Sequence, residues 1–134
     1  MNVLNGIISE IHSHEGLSLV RVKSNELVFS TIVLDTAETS GYLKKEHPVK
    51  IIFKETEVII SKDLNPNISI QNKIPCRVES IKKGVILSQV NLIFKQQVIK
   101  SIITSNACEQ LNLEENDSVM ALIKTNEVSL SAND

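Results

Sequence analysis

Displaced by 70 positions, the chain lies on itself: residues 2–64 align with 72–134, and the register runs without a gap from Asn2/Asn72 to Ser61/Ser131. The endings "KETEVIIS" (54–61) and "KTNEVSLS" (124–131) are near copies. Between the ends lie Ile11/Ile81, Leu17/Leu87, Ser18/Ser88, Val20/Val90, Val28/Val98, Ile32/Ile102, Ala37/Ala107, Leu43/Leu113 and Val49/Val119. Most of these positions are apolar, so what is written twice is a buried framework, and the fold must be one that the chain can build twice. The repeat divides the chain into modules 1–63 and 72–134, joined by a linker at 64–71 in which Asn65-Pro66-Asn67 marks the connection.

Each copy reads mainly as strand. "VLNGIISEI" alternates in part, "LSLVRVKS" alternates cleanly and "ELVFSTIVL" is a β-branched run; "KIPCRVESI", "GVILSQVNLIF" and "QVIKSIITS" occupy the same places in the second copy. One segment per copy suits a short helix, 35–43 and 105–113, opening on Asp35 or Ser105 as an N-cap. "HPVKIIFKETEVIIS" and "DSVMALIKTNEVSLS" then each give two strands joined by a tight turn, at Glu55-Thr56 and Thr125-Asn126. The expected fold class is all-β: two tandem OB-like five-stranded Greek-key barrels, each with one short helix. A module this small is marginal alone, which predicts close packing between modules and a homo-oligomer, with function at module or subunit interfaces.

Composition removes several function classes. A net charge of −2 and an aromatic content of 3% leave neither the basic groove nor the stacking rings of a nucleic-acid binder. No stretch reaches the length of a membrane helix and "MNVLNGIISEI" does not read as a signal peptide, so no membrane insertion and a cytoplasmic location are expected. Cys76 and Cys108 lack CxxC spacing and read as buried thiols. His12 and His14 fall near a turn, His47 is distant, and no Cys or carboxylate cluster joins them, so no metal site is expected. No nucleophile with its base, paired carboxylates or phosphate loop suggests an enzyme.

The second half resembles the molbindin, or Mop, module of the TOBE class through Ile103-Thr104, Leu111 to Leu113, Asp117 to Val119 and Ala121 to Lys124. The first half is similar but more eroded, keeping Ile32-Val33, Leu43, Val49 and Ile52 to Lys54. The resemblance implies a tandem double module that binds molybdate or tungstate in the cytoplasm for storage, buffering or homeostasis. It also implies assembly as a trimer, with a dimer as the alternative. Hydroxyls, backbone N–H groups and one or two cations suffice to hold a tetrahedral dianion.

Carried over by position, the implied oxyanion-binding residues are Ser69, Gln71 and Asn72 before the first strand of the second copy, and Thr104 and Ser105 at the start of the helix. Lys124 and Thr125 follow at the late turn, and Lys54 survives alone in the first copy. The backbone N–H groups of Ser105 to Ala107 are candidate further donors. Gln71 stands where the family has arginine and Ala107 where it has a second hydroxyl; Leu34, Ala37 and Glu55 replace donors in the first copy. Plainer roles compete, with Lys54 and Lys124 as solvated strand-end lysines and Thr104 as a helix cap. The alternative function is a ligand-poor TOBE interaction or regulatory module partnering a molybdate or tungstate transporter or regulator. An OB-type nucleic-acid binder is a weaker reading, and an enzyme the weakest.

Overall fold

A computed structural model describes residues 1–36 and 40–132. Among the described residues ten strands carry the fold: β1 (Asn2–His14), β2 (Leu17–Ser24), β3 (Leu27–Val33), β4 (Pro48–Phe53), β5 (Ile59–Ser61), β6 (Asn72–Lys82), β7 (Leu87–Phe94), β8 (Gln97–Thr104), β9 (Ser118–Ile123) and β10 (Ser129–Ala132). One short helix, α1 (Ser105–Gln110), follows β8, and 3-10 turns occupy Glu55–Glu57 and Thr125–Glu127. The all-β expectation holds, with two five-stranded antiparallel sheets. The helix expected at 105–113 is shorter, ending at Gln110. Of the helix expected at 35–43, residues 37–39 lie outside the described residues, and the described flanks are not helical.

The sequence repeats and the compact units divide the chain differently. One unit holds Asn2–Phe53 with Lys124–Asp134; the other holds Met1 with Lys54–Ile123. In the first the strand order is β10-β4-β1-β2-β3, in the second β5-β9-β6-β7-β8. β5, from the first repeat, pairs with β9 (Ile59↔Leu122, Ser61↔Met120), and β10, from the second, pairs with β4 (Ser129↔Ile52, Ala132↔Val49). Each sheet therefore takes four strands from one repeat and its fifth from the other. The stretch 64–71, expected as a linker, belongs to the Lys54–Ile123 unit, where Lys73 Nζ donates to the Pro66 carbonyl at 3.2 Å.

The tight turns expected at Glu55-Thr56 and Thr125-Asn126 do not fold the strands back into hairpins, since β4 is not paired with β5 nor β9 with β10. A two-residue hairpin turn requires positive φ, which Asn and Gly accept and a β-branched Thr resists. Here the flanking residues are extended (Lys54 φ −77°, ψ 148°; Val58 φ −91°, ψ 114°) around a single 3-10 turn. True hairpin corners lie elsewhere, one of them at Glu15-Gly16 between β1 and β2, with φ 51° and 81°. Asn25 and Lys95, both at φ 56°, open the two-residue loops between β2 and β3 and between β7 and β8.

The two cores are copies in position. Leu4, Ile8, Val20, Val22, Phe29, Val49, Ile51, Phe53 and Val128 are buried in one unit. Their partners at a spacing of 70, Ile74, Val78, Val90, Leu92, Ile99, Val119, Ala121, Ile123 and Val58, are buried in the other. Even the irregularities repeat: the ladder slips between Ile8 and Glu10 and again between Val78 and Ser80, a bulge that bends the long first strand of each sheet. Gly6 and Cys76 are an unequal pair. A Cβ at Gly6 would lie 2.5 Å from Val22 Cγ1, whereas Cys76 is accommodated and buried, and burial pushes its thiol pKa up to about 12.

The exchanged segments are pinned by buried hydroxyls. Ser101 Oγ on β8 donates to the Val58 carbonyl at 2.7 Å, just before β5, and Thr31 Oγ1 on β3 donates to the Val128 carbonyl just before β10. Both hydroxyl residues are fully buried, so removing either donor strands a carbonyl away from water. Ser101→Ala and Thr31→Val are each expected to cost ~1–3 kcal/mol, seen as a lower urea midpoint with unchanged slope. A second expectation concerns the thiols: at pH 8 neither Cys76 nor Cys108 reacts with a thiol reagent until denaturant is added, both being buried. Because the folded Cys76 thiol keeps its proton where the unfolded one loses it, stability declines as pH rises above the unfolded pKa of about 8.5.

Candidate functional site

The start of α1 is built from hydroxyls. Thr104 ends β8 with extended backbone (φ −65°, ψ 147°), and its Oγ1 accepts from the Ala107 N–H at 3.0 Å, a helix cap. Ser105 N–H donates to the Ile86 carbonyl at 2.8 Å, and Ser105 Oγ donates to the Gly84 carbonyl at 2.7 Å while sharing a 2.8 Å contact with Ser88 Oγ. The backbone donors expected at Ser105 and Ala107 are thus engaged within the chain. What Thr104 still offers outward is its hydroxyl hydrogen, on an exposed residue. Ser88 and Gly84 were not among the expected site residues, although the pair Ser18/Ser88 stood out in the repeat. In the other unit Ser18 Oγ donates to the Asp35 carbonyl, at the position equivalent to Ser105.

The other expected residues sit at the mouths of strands. Ser69 and Gln71 are exposed in the irregular stretch before β6, while Asn72, its first residue, is buried opposite Ile123. Lys54 and Lys124 are exposed, directly follow β4 and β9, and accept through their carbonyls from Glu57 and Glu127 N–H at 3.0 Å each. Among the described residues neither ammonium has an ion-pair partner. Lys54, Ser69, Gln71, Asn72, Thr104 and Ser105 belong to one unit, Lys124 and Thr125 to the other. Within the first, Thr104 pairs with Leu87 at one end of β7, whereas Asn72 lies toward the other end, beyond the last β6–β7 pair, Arg77↔Ile93.

The two lysine turns differ in charge. Beside Lys54 stands Glu55, whose carboxylate meets the Met1 ammonium at 2.8 Å; that hydrogen bond, then its own backbone bond, hold its pKa below the usual range. Beside Lys124 stands Thr125, a half-buried hydroxyl. An approaching dianion meets a fixed negative charge at the first turn and a donor at the second. Among the described residues no group of three His, Cys, Asp or Glu side chains is placed to hold a metal ion. Among the described residues no helix is long and apolar enough to cross a membrane.

Residues 68–130 match the TOBE domain family. The matched stretch follows the sequence repeat and not the compact unit, running past Ile123 through Lys124 to Leu130. The fold matches the crystal structure of the cytoplasmic molybdate-binding protein ModG with molybdate bound, at a TM-score of 0.90 and 23% identity, covering 98% of this chain and 96% of that one. A molybdate-binding protein from Sporomusa ovata is 30% identical over 44% of this chain and 88% of its own, at a TM-score of 0.43. No curated protein matches the chain significantly. The resemblance to the Mop module of the TOBE class is borne out by the matched domain and the shared fold.

Because the Thr104 hydroxyl is a cap as well as a candidate donor, its two roles separate by substitution. Thr104→Val is expected to lower stability by ~0.5–2 kcal/mol and Thr104→Ser to restore most of it, measured by denaturant titration.

Proposed function

We propose that this chain, whose residues 68–130 are a TOBE domain on a chain with the fold of ModG, binds molybdate- or tungstate-type oxyanions. It does so in the cytoplasm, the location of ModG, for storage, buffering or homeostasis, as a binding protein and not as an enzyme. The observation that carries the reading is the Lys124–Thr125 step: an ammonium with no ion-pair partner among the described residues and a hydroxyl on a 3-10 turn, with no carboxylate before Glu127. A cation and neutral donors together suit a tetrahedral dianion that carries no proton to share.

One ammonium and one hydroxyl are not a complete site. Charge-assisted hydrogen bonds contribute about 1.5–3 kcal/mol each, and micromolar affinity corresponds to about 8 kcal/mol, so several donors must converge. Thr104 and the Ser69–Asn72 stretch are the candidates to complete the set from another subunit of a homo-oligomer, a trimer of the double module. The Lys54 turn, with Glu55 ionised beside it, is the poorer anion site. The same carboxylate, and the internal engagement of the Ser105 and Ala107 N–H groups, favour a second reading: a ligand-poor interaction or regulatory module for a molybdate or tungstate transporter or regulator.

Isothermal titration with molybdate, tungstate and sulfate decides between them. The expected outcome is saturable heat with molybdate or tungstate, weakened at least ~10-fold by Lys124→Ala and by Thr125→Val and little changed by Lys54→Ala. No heat with any of the three anions favours the ligand-poor module. Light scattering is expected to give the mass of a trimer.

A further inference from the structure

The corner between β6 and β7 carries a feature that the duplicated framework does not explain. A pocket of about 270 Å³ opens there, with Lys82 and Lys83 on its rim and Leu87, Ile102 and Gln89 among its lining. All of it lies within the Lys54–Ile123 unit. The backbone beneath the lysines is fixed. A Cβ at Gly84 would stand 2.3 Å from the Leu87 carbonyl oxygen, so only glycine fits without movement. The Gly84 and Ile86 carbonyls are held by Ser105 Oγ and Ser105 N–H, and the Ser88 hydroxyl meets Ser105 Oγ from the pocket side.

No carboxylate lines the pocket, and among the described residues neither lysine has an ion-pair partner. Two adjacent like charges on a rigid corner repel one another, and a bound anion relieves that repulsion. The first repeat has His12, Ser13 and His14 at the positions of Lys82, Lys83 and Gly84, so the cation pair belongs to one unit only. Beyond the lysines the tip is apolar and open: Val85 is 98% and Ile86 77% exposed, where the first repeat has Glu15 and Gly16. The chain as a whole has a net charge of −2, so the doublet is a local feature and not part of a general basic character.

We propose that the Lys82–Lys83 pocket is a second anion site, one that takes a tetrahedral dianion, phosphate or sulfate, either free or as the terminal group of an organic molecule whose apolar part rests on Leu87 and Ile102. The two ammonium groups bind the dianion. The pocket exceeds the volume of the anion alone, which fills roughly the space of two or three waters at about 30 Å³ each. The lysine pair belongs to a different unit from the Lys124–Thr125 turn, and the proposal does not rest on the oxyanion function proposed for that turn.

The test is an amide NMR titration of the full chain with inorganic phosphate, with sulfate and with phenyl phosphate. Saturable shifts at Gly84, Leu87, Ser88 and Gln89 are expected, with affinity reduced at least ~10-fold by the Lys82→Gln/Lys83→Gln double variant and unchanged by Lys124→Ala. Phenyl phosphate binding at least ~10-fold tighter than phosphate identifies the esterified ligand; equal affinities identify the free ion. Absence of shifts at this corner, or shifts that the double variant leaves intact, overturns the proposal. Molybdate binding that depends on Lys124 and persists in the double variant shows that the other site stands regardless.

Discussion

Neither repeat supplies the strand that completes its own sheet. Without β10 the outer edge of β4 would present unpaired N–H and C=O groups, and without β5 so would β9. Such edges are costly when buried and prone to pairing with other chains when exposed. The exchange pairs both of those outer sides and leaves the short β10 and β5 at the edges, and the buried hydroxyls of Thr31 and Ser101 hold the incoming segments by their carbonyls. These bonds join residues 97 and 43 positions apart, so each closes a long loop of chain.

Much of this was legible in the sequence, for a physical reason. Core positions tolerate little change in volume, so the pairs Val20/Val90, Leu43/Leu113 and Val49/Val119 mark buried positions in both copies, whereas Leu17/Leu87 and Val28/Val98, read as part of the same framework, repeat on the exposed surface. The exchange was not legible. "EVIIS" and "EVSLS" present the same inward residues at the same spacing, so each fits either sheet and the pattern does not say which one receives it. What separates the alternatives is the backbone at Lys54 and Lys124, which stays extended into a 3-10 turn where a hairpin would need positive φ. The hydroxyls at the start of α1 were legible as residue types, but not the long-range bond from Ser105 N–H to Ile86 that engages one of their backbone neighbours.

Duplication has also let the two copies diverge in charge while keeping their framework. Glu55 faces the Met1 ammonium where its counterpart Thr125 offers a hydroxyl, and Lys82-Lys83 stands where the first repeat has His12-Ser13. Cores packed from equivalent residues leave the turns free to vary, since a turn residue exposed to water contributes little to stability. These two differences in charge lie at a strand mouth and a corner, where a ligand could meet them.

The cross-supplied strands have a consequence for synthesis on the ribosome. Lys54–Ile123 is an unbroken run, so apart from Met1 that unit has every residue it needs once Ile123 has emerged. The unit begun by Asn2 must wait, with β4 lacking its outer neighbour, until Ser129–Ala132 has left the exit tunnel. The usual vectorial order, in which the amino-terminal part matures first, is reversed, and a nascent chain stalled or cut after Ile123 would carry one finished sheet and one missing its fifth strand.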